Sequence, residues 1–175
     1  GYAEDEVRQR HHRLFVDPAE SAAPAYAEFW RDLNEGRARS DTFRRITKDG
    51  REVWLQAVYA PVKDEMGRVF KIVKIATDVT ADVQARRMLQ TAVDEAREVA
   101  TAAMAGDLTR RIPLDGKTGA VAALCAGVNG MAESTGAVVA DLCRVFGALA
   151  DGDLTQRIDR DCAGSFARAR DDANA

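Results

Sequence analysis

The sequence predicts an α+β chain, an antiparallel sheet with short helices followed by an all-α parallel coiled-coil bundle. Three observations carry that expectation. Every Phe, Tyr, Trp and Pro except Pro113, Phe146 and Phe166 lies within residues 1–80, which marks a compact mixed domain there. Three strand candidates, Thr42–Thr47, Glu52–Val62 and Val69–Val79, are joined by Lys48-Asp49-Gly50 and by Lys63 to Gly67, both of hairpin-turn chemistry. Lastly, Val121, Leu124, Val128, Met131, Val138, Leu142, Val145 and Leu149 step by three and four, the a/d seam of a coiled coil, broken only at Thr135.

Composition narrows the function classes. The chain has 175 residues and is 46% hydrophobic, ordinary for one or two small folded domains. A net charge of -3 gives no electrostatic case for nucleic acid. Cys125, Cys143 and Cys162 are scattered without metal or redox spacing, and unpaired thiols favour a reducing compartment. The longest weakly charged run, Thr118 to Ala140, holds Glu133, Asn129 and several glycines, too polar for a membrane span. No signal-peptide pattern opens the chain. The expectation is a cytoplasmic protein with no nucleic-acid partner and no direct membrane insertion.

Taken in order, Val7 to Val16 reads as a short helix or turn stopped by Asp17-Pro18. Ser21 to Leu33 reads as a helix with Ala25, Phe29 and Leu33 on one side and Gly36 as its stop. The three strands form an antiparallel meander. At its end Asp78-Val79-Thr80 opens a helix, with Thr80 placed to cap it and Asp82 suited to the positive N-terminus. Ala85, Leu89, Ala92, Ala96, Val99 and Ala103 then step by four and three up to Gly106. These small residues pack closely but bury little area, so this seam is the weaker one. The seam from Val121 to Leu149 keeps a repeat of 3.5, from which a lone surface helix would drift, and so expects partner helices along its length.

Residues 1–80 resemble a PAS sensor domain. The residues that carry the likeness are Gly1-Tyr2 leading into Glu6-Val7, His11-His12-Arg13-Leu14-Phe15, Phe29-Trp30 with Leu33 and Gly36, Lys48-Asp49-Gly50, Trp54, Pro61-Val62 and Asp78-Val79-Thr80. The family's sheet has five strands, and the two that precede this helical region are not in this sequence. The expectation is therefore the C-terminal portion of a PAS domain, with an incomplete sheet and an unpaired edge. Family members include haem and flavin binders, so a haem or flavin cofactor is one expectation. His11 or His12 would then ligate iron through imidazole, and Trp30 and Trp54 would stack on a ring system. The competing reading makes the histidines a surface or capping pair and the tryptophans core or interface residues. In the family, Asp78 and Thr80 would couple the sheet to the outgoing helix; simple capping explains the same residues.

A repeat frames the long seam. Gly106-Asp107-Leu108-Thr109 and Gly152-Asp153-Leu154-Thr155 lie 46 positions apart (152 − 106), and both continue to x-Arg-Ile, ending at Ile112 and Ile158. Gly119 to Asn129 and Gly164 to Asn174 repeat in turn, each over the same span. Helix, glycine-initiated connector with two apolar anchors, and second helix resemble a HAMP domain. Two in series resemble the tandem HAMP arrays of soluble methyl-accepting chemoreceptors. The likeness divides the chain into residues 1–80, a signalling helix and first HAMP over 81–137, and a second, truncated HAMP over 138–175. Glycine at 106 and 152 lets the connector leave the helix, and Leu108 with Ile112, and Leu154 with Ile158, would cover the groove. Two parallel helices per chain imply a homodimer closing a four-helix bundle. Lys117-Thr118 and Cys162-Ala163 stand where the family carries an acidic residue.

No phosphate loop, nucleophile elbow, HExxH or His/Cys cluster points to an enzyme. The expected function is sensory: a cytosolic module passing pocket state through a dimeric helical bundle to downstream signalling proteins of chemotaxis. The alternatives are a ligand-free structural dimerisation module, or the sensor segment of a histidine kinase or cyclase.

Overall fold

The computed structural model describes residues 1–175 and divides into two compact units, Gly1–Arg86 and Arg87–Ala175. In the first unit come α1 (Glu4–Val7), a 3-10 turn (His12–Phe15), α2 (Pro18–Ala22) and α3 (Pro24–Asn34). The strands β1 (Arg39–Ile46), β2 (Glu52–Lys63) and β3 (Val69–Asp78) follow, in the order β1-β2-β3. The predicted helix Ser21–Leu33 is in fact two. Pro24 has no N–H to close a turn and drives Ala23 to an extended backbone, ending α2 and starting α3 at its first residue. Helix α3 stops as expected at Gly36, whose φ of 86° is the left-handed conformation that lets Arg37 N–H return to the Asp32 carbonyl.

The strands pair antiparallel throughout, Phe43 opposite Leu55 and Tyr59 opposite Lys74. Side chains alternate across a strand, so Val53, Leu55, Ala57 and Tyr59 share one face with Phe43, Arg45 and Lys74. That face carries the core: Leu33 and Phe29 of α3 pack on Ala57 and Tyr59, with Trp30, Phe43 and Ile72 around them. Trp54 falls on the opposite face.

In the second unit, α4 (Thr80–Met104, begun in the first), α5 (Gly119–Ala150) and α6 (Gly164–Asn174) are joined by extended connectors. Ala92 and Val99 of α4, Cys125 of α5 and Ile112 of the first connector form its buried cluster. Near its start α5 lies against Glu95 through Lys117 (2.7 Å), and further on Gly136 meets Leu108, so α4 and α5 run in the same direction. No helix is long and apolar enough to cross a membrane.

Candidate functional site

The first unit is centred on His12. Its Nδ1 lies 3.2 Å from the Tyr26 hydroxyl and its Nε2 3.0 Å from the Tyr59 hydroxyl. Phe15, Phe29 and Trp30 complete a ring cage around the imidazole. Arg45 donates to Tyr59 at 3.2 Å. Both imidazole nitrogens are satisfied when Arg45 donates to the Tyr59 oxygen, Tyr59 donates to Nε2, and Nδ1–H donates to Tyr26. Burial, and then the charges of Arg45 and Lys74, pull His12 down from 6.5 to about 4. The imidazole is therefore neutral at physiological pH. His11 is exposed, and its Nδ1 accepts from the Arg13 N–H at 3.1 Å, capping the 3-10 turn.

The two histidines thus separate: His11 caps, while His12 is a core polar group rather than part of a surface pair. Neither suits haem, because both nitrogens of His12 are held by phenols and His11 faces solvent. Trp30 and Trp54 are not brought together. Trp30 belongs to the cage, its Nε1 buried without an acceptor, whereas Trp54 donates its indole N–H to Glu52 at 2.9 Å. Two clefts of the unit measure 290 and 240 Å³, and Arg45 borders both.

At the end of the sheet the structure reassigns Thr80. Its hydroxyl accepts the Trp54 N–H at 2.9 Å instead of capping α4, and Asp78 accepts the Thr80 N–H at 2.9 Å. The Val79 N–H returns to the Trp54 carbonyl at 2.9 Å. Strand β2 and the first residues of α4 are thereby one hydrogen-bonded assembly. The contacts with Thr80 also hold the Asp78 carboxyl below its usual range.

The two connectors share a set of backbone and side-chain hydrogen bonds. Gly106 and Gly152 have φ of 89° and 80°, and Asp107 and Asp153 N–H return 2.9 Å to Ala102 and Ala148. Asp107 and Asp153 each accept from the following threonine's N–H and hydroxyl. Asn129 and Asn174 clamp the anchors, accepting the N–H and donating to the carbonyl of Ile112 and Ile158 at 2.8–3.0 Å. Sequence reasoning missed both asparagines as site residues, although their equal distance from Gly119 and Gly164 marked them. Ile112 and Ile158 are buried, and Leu108 is half-buried against Gly136. Leu154, by contrast, is 68% exposed. Lys117, in place of the expected acid, reaches Glu95 on α4.

The first unit is similar to proteins of the PAS fold. Residues 1–76 match the family model described as PAS fold. Two curated relatives come from Pseudomonas aeruginosa. Biofilm dispersion protein BdlA is 39% identical over 101 residues, covering 58% of this chain and 24% of that protein. Methyl-accepting chemotaxis protein McpB is 37% identical over 83 residues, covering 47% of this chain and 12% of that one. The chain therefore spans about a quarter and about an eighth of the lengths of these relatives. Among solved structures, the dark structure of the blue-light photoreceptor Aureochrome1 LOV is similar at 23% identity and a TM-score of 0.41, covering 47% of this chain and 59% of that one.

Proposed function

We propose that the chain is a sensory input and relay module of a chemotaxis-type receptor. The PAS unit holds the signal-dependent site, and α4 carries its state into a parallel homodimeric bundle of two HAMP-like repeats. The observation that carries this reading is the junction in which Thr80, Asp78 and Val79 tie β2 to the start of α4. A strand whose backbone is bonded to the first residues of a helix cannot shift without disturbing that helix. The duplicated connectors support the HAMP reading, and the chemotaxis relative supports the output class. Exposed apolar side chains along α5, among them Leu124, Met131 and Leu149, support a partner subunit.

The test is a distance measurement between spin labels at residue 131 of two subunits, with the three native cysteines replaced by serine. A parallel dimer gives one short separation, and Thr80→Val shifts it. A monomer, a long antiparallel separation, or a distance indifferent to Thr80→Val overturns the reading; the last outcome favours a ligand-free scaffold.

A further inference from the structure

Lys117, near the end of the first connector, carries its charge out of water. Its side chain is 6% exposed, and its ammonium lies 2.7 Å from Glu95 on α4. The same nitrogen donates to the Pro113 carbonyl at 2.6 Å, so the cation is also held within its own connector. Glu95 Oε2 is buried and has no other partner. Such a pair adds little net stability, because the cost of desolvating two charges offsets their attraction. What it does impose is alignment. Moving either group away leaves a charge unpaired in a buried setting, which is strongly unfavourable.

The packing of α4 needs an alignment of this kind. Asn129 binds both the N–H and the carbonyl of Ile112, which ties the connector to α5. Against that assembly α4 presents Ala92, Ala96 and Val99. Small side chains make shallow knobs, so such a stripe does little to fix the height of one helix along another. A slip of one residue moves a helix by about 1.5 Å, slight for an alanine stripe but enough to part a close ion pair. The second repeat has the same layout. Asp141 stands 46 positions after Glu95 (141 − 95), and the connector cation Arg160 binds it at 2.8 Å. The cation comes from a different place in each connector, whereas the acid keeps its place on the helix.

We propose that Lys117 is a positioning residue, whose buried pair with Glu95 sets the height of α4 along α5 in the first repeat. This deepens the relay reading and rests on it for one consequence alone, that a displacement of α4 reaches α5 through this pair. The placement itself concerns a single chain and is the same in a monomer or a dimer.

The experiment is a distance measurement between spin labels on α4 and α5 of one 175-residue chain. Ala100→Cys and Ala126→Cys, both at exposed positions, carry the labels. Cys143 and Cys162 are replaced by serine, Cys125 stays buried and unlabelled, and excess unlabelled chain removes distances between subunits. The parent should give one narrow separation. Glu95→Leu combined with Lys117→Met removes both charges together, so helix content by circular dichroism should be kept while the separation shifts by about 1.5 Å or more, or broadens. Glu98→Gln, an exposed acid on the same groove, should leave it unchanged. The parent separation persisting in the double variant overturns the proposal, as does an equal shift in Glu98→Gln. Loss of helix content in the double variant also overturns it, since the pair would then hold the fold rather than place α4. A chain that does not dimerise leaves this readout intact, and an unmoved separation here leaves the distance between subunits at residue 131 intact.

Discussion

At the scale of single residues, His12 sets the clearest pH dependence. Its folded value of about 4 lies below the ordinary 6.5, so between these values the unfolded chain binds more protons than the folded one. Stability from this group is complete above pH 6.5 and is lost as pH falls toward 4. The aspartates held low by neighbouring threonines, Asp78, Asp107 and Asp153, give up their contribution only below 3.8, outside that window. Denaturant unfolding at pH about 7 and about 4.5 should show a drop in wild type that is clearly reduced in His12→Gln. A second residue prediction concerns Asn129. Asn129→Ala strands the Ile112 N–H and carbonyl in a half-buried connector and should cost about 1–3 kcal/mol by the same measurement. Sequence made His12 visible as one of two histidines, but not its partners. Tyr26 and Tyr59 are 14 and 47 positions away, and no local pattern marks a contact of that length.

Among the elements, helix ends and turns were legible because their chemistry is local. Gly36, Gly106 and Gly152 end helices in the left-handed conformation the sequence implied. Pro24 is the local signal that separates α2 from α3. The sheet-to-helix junction was legible in position and not in mechanism: Thr80 serves β2 because the folded sheet brings the Trp54 N–H to it before any helix donor. Thr80→Val should therefore cost about 1–3 kcal/mol and speed hydrogen exchange at the Trp54 amide, whereas loss of a helix cap would speed exchange in the first turn of α4. In the second unit, Ile112 is 2% exposed and joins α4, α5 and the connector in one cluster. Ile112→Ala should cost about 2–5 kcal/mol in thermal or denaturant unfolding.

At the scale of the whole molecule, the α5 seam is divided. In its first half the chain packs on Cys125 and Ala132, leaving Leu124 and Met131 outward; in its second half Val138 and Val145 turn inward and Leu149 outward. Met131 is 63% exposed. One stripe cannot satisfy both an intrachain neighbour and a second subunit, so the apolar surface is shared between them. Met131→Asp should shift sedimentation from dimer to monomer while leaving the helix content by circular dichroism unchanged, since that side chain contributes nothing to the intrachain core.

The sequence by itself determined the periodic and the local: two seams, a duplicated connector, three strands and their turns, each written in spacing or in residues with special backbone preferences. The tertiary structure decided which groups met. It placed Tyr26, Tyr59 and Arg45 around His12, separated Trp54 from Trp30 across the sheet, and left Arg45 buried without an acid. Periodicity reports which face of an element is apolar, because that depends on its own geometry. It is silent on what stands opposite that face, because that depends on chain segments far away in sequence.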